Sequence, residues 1–195
     1  MNEWTENIIL ADADYIDHVA FDLIVNFERM IGRRIPPADM SRWVECIALD
    51  GGLRNGEQQT TVVLLHDKGK GGLQNFRPSR YDTELNGQAF KGPLGEFCFS
   101  AYNSEGMTTK EDFFLDTLLT IGSQKEVKRL MVIPDEALYN KVRETIKRID
   151  EADDSKRITV FAMQPMEGGA FRQEILGYSL MAAMGIRGEE VRNEK

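Results

Sequence analysis

Asp12 and Asp14 stand at the end of an apolar run, Asn7-Ile8-Ile9-Leu10-Ala11, and two further acidic features occupy comparable places along the chain. Asp112 and Asp116 follow the run Phe97–Tyr102 at a spacing of i and i+4, and Asp135 follows Arg129-Leu130-Met131-Val132-Ile133-Pro134. Carboxylates collected from separate strand ends repel one another, and burying them is costly without a cation. Mg2+ or Mn2+ resolves that problem, because both take carboxylate oxygens and keep waters for chemistry. A cation held this way activates water and neutralises a scissile phosphate. Each acidic residue also has a structural use. Asp14 suits a helix N-cap with Asp17 three residues on, Thr109-x-x-Asp112 is a capping-box pattern, and Asp135 suits an N-cap. Asp12 and Asp116 fit the capping explanation less readily.

A second group of residues is basic. Lys68, Lys70, Arg77 and Arg80 lie in a stretch with Phe76 and Tyr81 interleaved, a composition that suits phosphate contacts and base stacking, or a solvated loop. Lys68-Gly69-Lys70-Gly71-Gly72 lacks the order of a phosphate-cradling P-loop. Neither His18 nor His66 has a Ser or Cys partner at a telling spacing, which argues against a hydrolytic triad. Asp12-x-Asp14 after a strand also fits a haloacid-dehalogenase-like phosphatase, with the first Asp as nucleophile and the second as general acid/base.

The elements that must position these groups are visible as hydrophobic periodicity. Residues 7–11 read as a buried strand, and Ile16, Val19, Ala20, Leu23, Ile24, Phe27, Met30 and Ile31 follow helical spacing up to Gly32 and Pro36-Pro37. A shorter helix carries Met40, Trp43, Val44, Ile47 and Ala48, and Thr60–Leu65 is a strand. From Asp67 to Gly95 the chain reads as a long loop. Strands are expected at 97–102, 129–133 and 158–162, and helices at 110–121 and 136–149. A last apolar helix spans 170–184, before a charged, frayed tail from about 186. Asp112 and Asp116 share a helix face with Leu115 and Leu119, which is expected to look toward the sheet. Strands alternating with helices predict an α/β fold, a three-layer α/β/α sandwich with a mostly parallel central sheet of about five strands.

The order of these elements resembles the NYN branch of the PIN-like ribonuclease superfamily. Ile8-Ile9-Leu10-Ala11-Asp12-Ala13-Asp14-Tyr15 is similar to its first motif, and Lys110-Glu111-Asp112-Phe113-Phe114-Leu115-Asp116 to its second. Leu130-Met131-Val132-Ile133-Pro134-Asp135-Glu136-Ala137 is similar to its third, followed by a helix and Lys156-Arg157-Ile158-Thr159-Val160. Tyr15 stands where the family has Asn, Ile133-Pro134 replaces Ser-Gly, and Ala137 takes the place of a second Asp. The resemblance covers the start of the chain and about 95–165. It implies a metal-dependent ribonuclease, or a degenerate descendant, with Asp12, Asp14, Asp112, Asp116 and Asp135 as ligands of Mg2+ or Mn2+. Asp12, Asp14 and Asp116 would be its catalytic residues. A non-catalytic binding or scaffold domain of the same fold is the alternative.

Composition bounds these expectations. The 195 residues, 42% hydrophobic and 29% charged, suit one globular domain spanning 1–195. The net charge of −8 opposes non-specific nucleic-acid binding, so an RNA partner needs a local basic patch or a cation. Lys68, Lys70, Arg77 and Arg80 are the candidate nucleic-acid contacts. The absence of a basic leader, of a long apolar run and of paired cysteine motifs predicts a cytoplasmic protein with no membrane partner, and with Cys46 and Cys98 as reduced core thiols. Met163, Met166, Met181 and Met184 near the C-terminus suit core packing or an adaptable contact with a partner or second copy.

Overall fold

A run of six fully buried residues, Asn7–Asp12, forms β1, and a strand buried on both faces belongs in the middle of a parallel sheet. The computed structural model describes residues 4–192. β1 passes without a connecting loop into α1, Ala13–Ile31, which ends at Gly32 in the left-handed conformation. A two-residue strand β2, Ala38–Asp39, leads into α2, Met40–Asp50, and then β3, Gln59–Leu65. Next come β4, Phe76–Arg77, a π-turn over Tyr81–Leu85, β5, Ala89–Gly92, and β6, Gly95–Tyr102. The remainder is α3, Lys110–Gly122; β7, Arg129–Ile133; α4, Tyr139–Ala152, after a 3-10 turn; β8, Arg157–Ala162; β9, Arg172–Ile175; α5, Leu176–Ala183; and α6, Gly188–Arg192.

The main sheet has seven strands rather than about five, in the order β5-β6-β3-β1-β7-β8-β9. All its pairings are parallel except β5 with β6. β1 therefore lies between β3 and β7. The chain builds outward to one side through β3 and β6, and then returns past β1 to β7. Strand order reverses at β1/β7, the place where open parallel sheets bind ligands beyond their carboxyl ends.

Alternation along β1 divides the core. Ile9 and Ala11 pack with Ile16, Trp43, Val44, Ile47 and Leu180 from α1, α2 and α5. Ile8 and Leu10 pack with Phe114, Leu118, Val142 and Ile146 from α3 and α4.

Three expectations are corrected here. The 67–95 stretch is built structure, holding β4, the π-turn and β5 and burying Leu73, Phe76, Tyr81, Leu85 and Leu94. The apolar helix expected at 170–184 divides into the edge strand β9 and the shorter α5, because Arg172-Gln173-Glu174 pairs with β8. The tail is docked as far as Arg192: Ile186 is buried, and Arg33 Nε donates to Glu190 Oε1 at 2.8 Å. Among the described residues, no helix is long and apolar enough to cross a membrane.

Candidate functional site

Because α1 starts directly at the end of β1, its first amide groups need an acceptor, and Asp12 supplies one. Tyr15 N donates to Asp12 Oδ1 at 3.0 Å, so Asp12, not Asp14, is the N-cap of α1. Asp12 is only 1% exposed, and an isolated carboxylate so placed would be costly. Its compensation comes from the first residue of α3. Lys110 Nζ lies 3.0 Å from Asp12 Oδ1 and 3.0 Å from Asp14 Oδ2. A lysine at the start of a helix faces the wrong end of the helix dipole, and here the two carboxylates offset that cost.

The electrostatics follow from this arrangement. Burial pushes the Asp12 carboxyl up from its ordinary value, against the lowering effect of Lys110 and of the Tyr15 amide. Burial also works against the Lys110 ammonium, but the Asp12 and Asp14 carboxylates outweigh it and hold the lysine above its ordinary value. Tyr15 is raised by burial and by Glu136 and Asp135 across the β1/β7 crevice. Glu136 Oε1 in turn accepts from Met163 N at 3.0 Å, which ties the end of β8 to this crevice.

The remaining acidic side chains organise the loop beyond β3. Asp14 Oδ2 accepts from Asp67 N at 2.9 Å. Asp17 Oδ1 accepts from Asn75 N at 2.8 Å and Asp17 Oδ2 from Gln74 N at 3.0 Å. His66 is buried at the end of β3, stacked on Tyr81 with ring centroids 3.8 Å apart. Burial and then the surrounding aspartates, Asp14 first, raise the Tyr81 phenol. The result is a cavity of about 740 Å³ between α1 and the 69–80 segment. Asp14, Asp17, His18 and Phe21 form one wall, and Lys70, Arg77 and Arg80 stand on the other.

The five expected metal ligands therefore part company. Asp12 and Asp14 come together, but around Lys110. Asp112 and Asp116 do not face the sheet. Phe114, Leu118 and Ile121 form the buried stripe of α3, and the two aspartates lie about half a turn away on its exposed side. Asp135 caps the 3-10 turn, its Oδ1 accepting from Ala137 N at 2.9 Å. Among the described residues, no group of three or more His, Cys, Asp or Glu side chains is placed to hold a metal ion.

Of the expected nucleic-acid contacts, Lys70, Arg77 and Arg80 line the cavity, while Lys68 is exposed on the same turn and does not. Among the described residues none of the four has a carboxylate within ion-pair distance. Met184 is buried and Met163 and Met181 pack against the same core; on α5 it is Tyr178 that is strongly exposed. Sequence reasoning missed Lys110 as a partner of Asp12, and Asp17 as the anchor of the loop. Lysine at the first position of a helix, against the dipole, was the one available signal.

Compared with known proteins, the chain matches a family of unknown function (DUF6621) over residues 1–191, and it belongs to that family. No curated protein and no solved structure matches it.

Proposed function

We propose that this DUF6621 chain is a PIN/NYN-like three-layer domain used for binding rather than hydrolysis, taking single-stranded RNA into the cleft between α1 and the 69–80 segment. The observation that carries the proposal is the Lys110 ammonium, 3.0 Å from both Asp12 and Asp14, where a divalent ion would have to sit. The donor set does not fit Mg2+ or Mn2+ in this arrangement. Asp12 is buried and committed to Lys110 and the Tyr15 amide, and Asp112, Asp116 and Asp135 lie elsewhere. The same burial stands against Asp12 as the nucleophile of a phosphatase, since an attacking oxygen must reach its substrate.

RNA is favoured by what rims the cleft. Among the described residues, Lys70, Arg77 and Arg80 have no ion-paired carboxylate, which suits them to phosphates, and Phe21, 51% exposed, offers a face on which a base can stack. The metal-dependent ribonuclease is the second reading, favoured by Asp12 at the carboxyl end of β1, and Asp14 and Asp135 just past the ends of β1 and β7, where strand order reverses.

Anisotropy of a labelled single-stranded RNA, with calorimetric titration of Mn2+ in parallel, separates the two. Binding is expected to weaken steeply with salt and to drop roughly tenfold or more in a Lys70→Ala/Arg77→Ala/Arg80→Ala variant, with no cleavage on adding Mn2+. Mn2+ binding that vanishes in Asp12→Asn, together with RNA cleavage, would establish the nuclease. Absence of RNA binding at low salt would sink the RNA-binding proposal.

A further inference from the structure

The opposite edge of the sheet carries a second, unrelated concentration of charge. Arg129, Arg157 and Arg172 stand at the first positions of β7, β8 and β9. Arg129 and Arg157 are direct cross-strand neighbours, and Arg172 pairs in register with Thr159, two residues into β8. All three therefore emerge on the α2 side of the sheet, the side of Met131 and Phe161. There they meet Arg54, just past the end of α2, around a pocket of about 530 Å³ that Lys156 also lines.

Like charges set side by side on neighbouring strands are destabilising, and this chain as a whole carries a net charge of −8. Carboxylates that could relieve the repulsion are scarce. Arg172 Nη2 lies 3.3 Å from Glu174 Oε1, and Asp50 also lies toward Glu174, its carboxyl pushed up by burial and by that neighbour. Among the described residues, Arg54, Arg129, Lys156 and Arg157 have no carboxylate within ion-pair distance.

The pocket is built rather than incidental. Arg129 Nη1 donates to Gly51 O at 2.6 Å, which fixes its fork at the end of α2. Gly52 has φ 97°, and a Cβ there would come within 2.4 Å of Arg129 Nη1. Lys156 Nζ is held by the carbonyls of Gln124 and Val127. Burial first, and then the neighbouring Arg157, Arg54 and Arg172, lower the Arg129 guanidinium from its ordinary value.

We propose that this pocket binds a small anion with adjacent phosphates, a polyphosphate or a nucleoside polyphosphate, shared among Arg54, Arg129, Arg157 and Arg172. Guanidinium forks match phosphate oxygens two at a time, and several converging forks select several adjoining charges over one carboxylate. The volume lies within the range of small-molecule sites. Phe171 on the wall gives a nucleoside base an aromatic surface.

Calorimetry and thermal unfolding of the full chain in chelator-containing buffer, at matched ionic strength, test the site with tripolyphosphate, ATP and inorganic phosphate. Tripolyphosphate or ATP is expected to bind with one site per chain and raise Tm, with inorganic phosphate much weaker. Because Arg129 also closes the end of α2, the exposed Arg54→Gln and Arg157→Gln carry the test. Each is expected to weaken binding by about tenfold or more. ATP binding tighter than tripolyphosphate adds a base contact, and equal affinities assign recognition to the phosphates alone. No binding at millimolar tripolyphosphate, or binding indifferent to Arg54→Gln and Arg157→Gln, would overturn the proposal.

Discussion

Replacing Lys110 with Met isolates the contact on which the functional reading depends. The substitution keeps most of the apolar stem and removes one ammonium that sits 3.0 Å from two carboxylates. Breaking a buried ion pair by deleting one partner costs about 3–5 kcal/mol, because the surviving charge is left without compensation. The Lys110 side chain is 28% exposed, so water replaces part of the lost interaction and roughly 2–4 kcal/mol is the expected loss. For a chain of this size that corresponds to a fall in Tm of roughly 4–16 °C.

The pH dependence has a definite sign. Burial holds the Asp12 carboxyl above its unfolded value, and Lys110 works in the other direction. Without Lys110 the elevation grows. A carboxyl raised in the folded state favours folding below its unfolded pKa and loses that contribution as pH rises through the folded value. The penalty of Lys110→Met is therefore largest at neutral pH and shrinks as acid protonates Asp12. Urea unfolding at pH 7 and pH 5 measures both quantities. Adding Asp12→Asn, which keeps a capping side chain, should recover part of the loss. A loss under about 1 kcal/mol, the same at both pH values and not relieved by Asp12→Asn, would refute the account of Lys110 as the counter-ion of a buried acid pair.

Two other perturbations read the loop and the tail. Asp17→Ala removes the acceptor for Gln74 N and Asn75 N, at a cost of about 1.5–3 kcal/mol, and hydrogen exchange at those two amides should accelerate before the core is affected. Glu190 is drawn down to about 2 by its hydrogen bonds with Arg33 and the Arg187 amide. A depressed carboxyl contributes above its unfolded pKa and loses that contribution as pH falls, so α6 should detach between about 4.5 and about 2, seen as amide exchange over Gly188–Arg192. Arg33→Ala should remove most of that acid transition.

The helices α1 to α4 were legible from their apolar spacing, and the central strands from their burial. β1, β3, β7 and β8 read as continuous apolar runs because parallel strands are covered on both faces. β5 and β9 lie at the two edges, where Ala89-Phe90-Lys91-Gly92 and Arg172-Gln173-Glu174-Ile175 are half exposed, and so lack the apolar run that marks a central strand. Asp112 and Asp116 were misplaced because Leu115 and Leu119 looked like the buried stripe; both are only partly buried, and Phe114, Leu118 and Ile121 define it. The convergence of Asp12 and Asp14 was visible from their spacing. The identity of their partner was not, because Lys110 is brought to them by a crossover that spacing cannot reveal. Asp17 was invisible for a different reason: its partners are backbone amides, which carry no sequence signature.

The position of β1 has a further consequence during synthesis. Of the strands of this sheet, the central one comes first in chain order, and it needs β3 on one side and β7 on the other. The residues between Leu65 and Arg129 must be added first, which at about 5–20 residues per second takes on the order of several seconds. Until β7 is available, the β7-facing edge of β1 lacks its partner, and an unpaired apolar strand edge is a template for pairing with another chain. The topology that places Asp12 at the crevice thus makes the centre of the sheet depend on a strand 64 positions further along the chain than the end of β3.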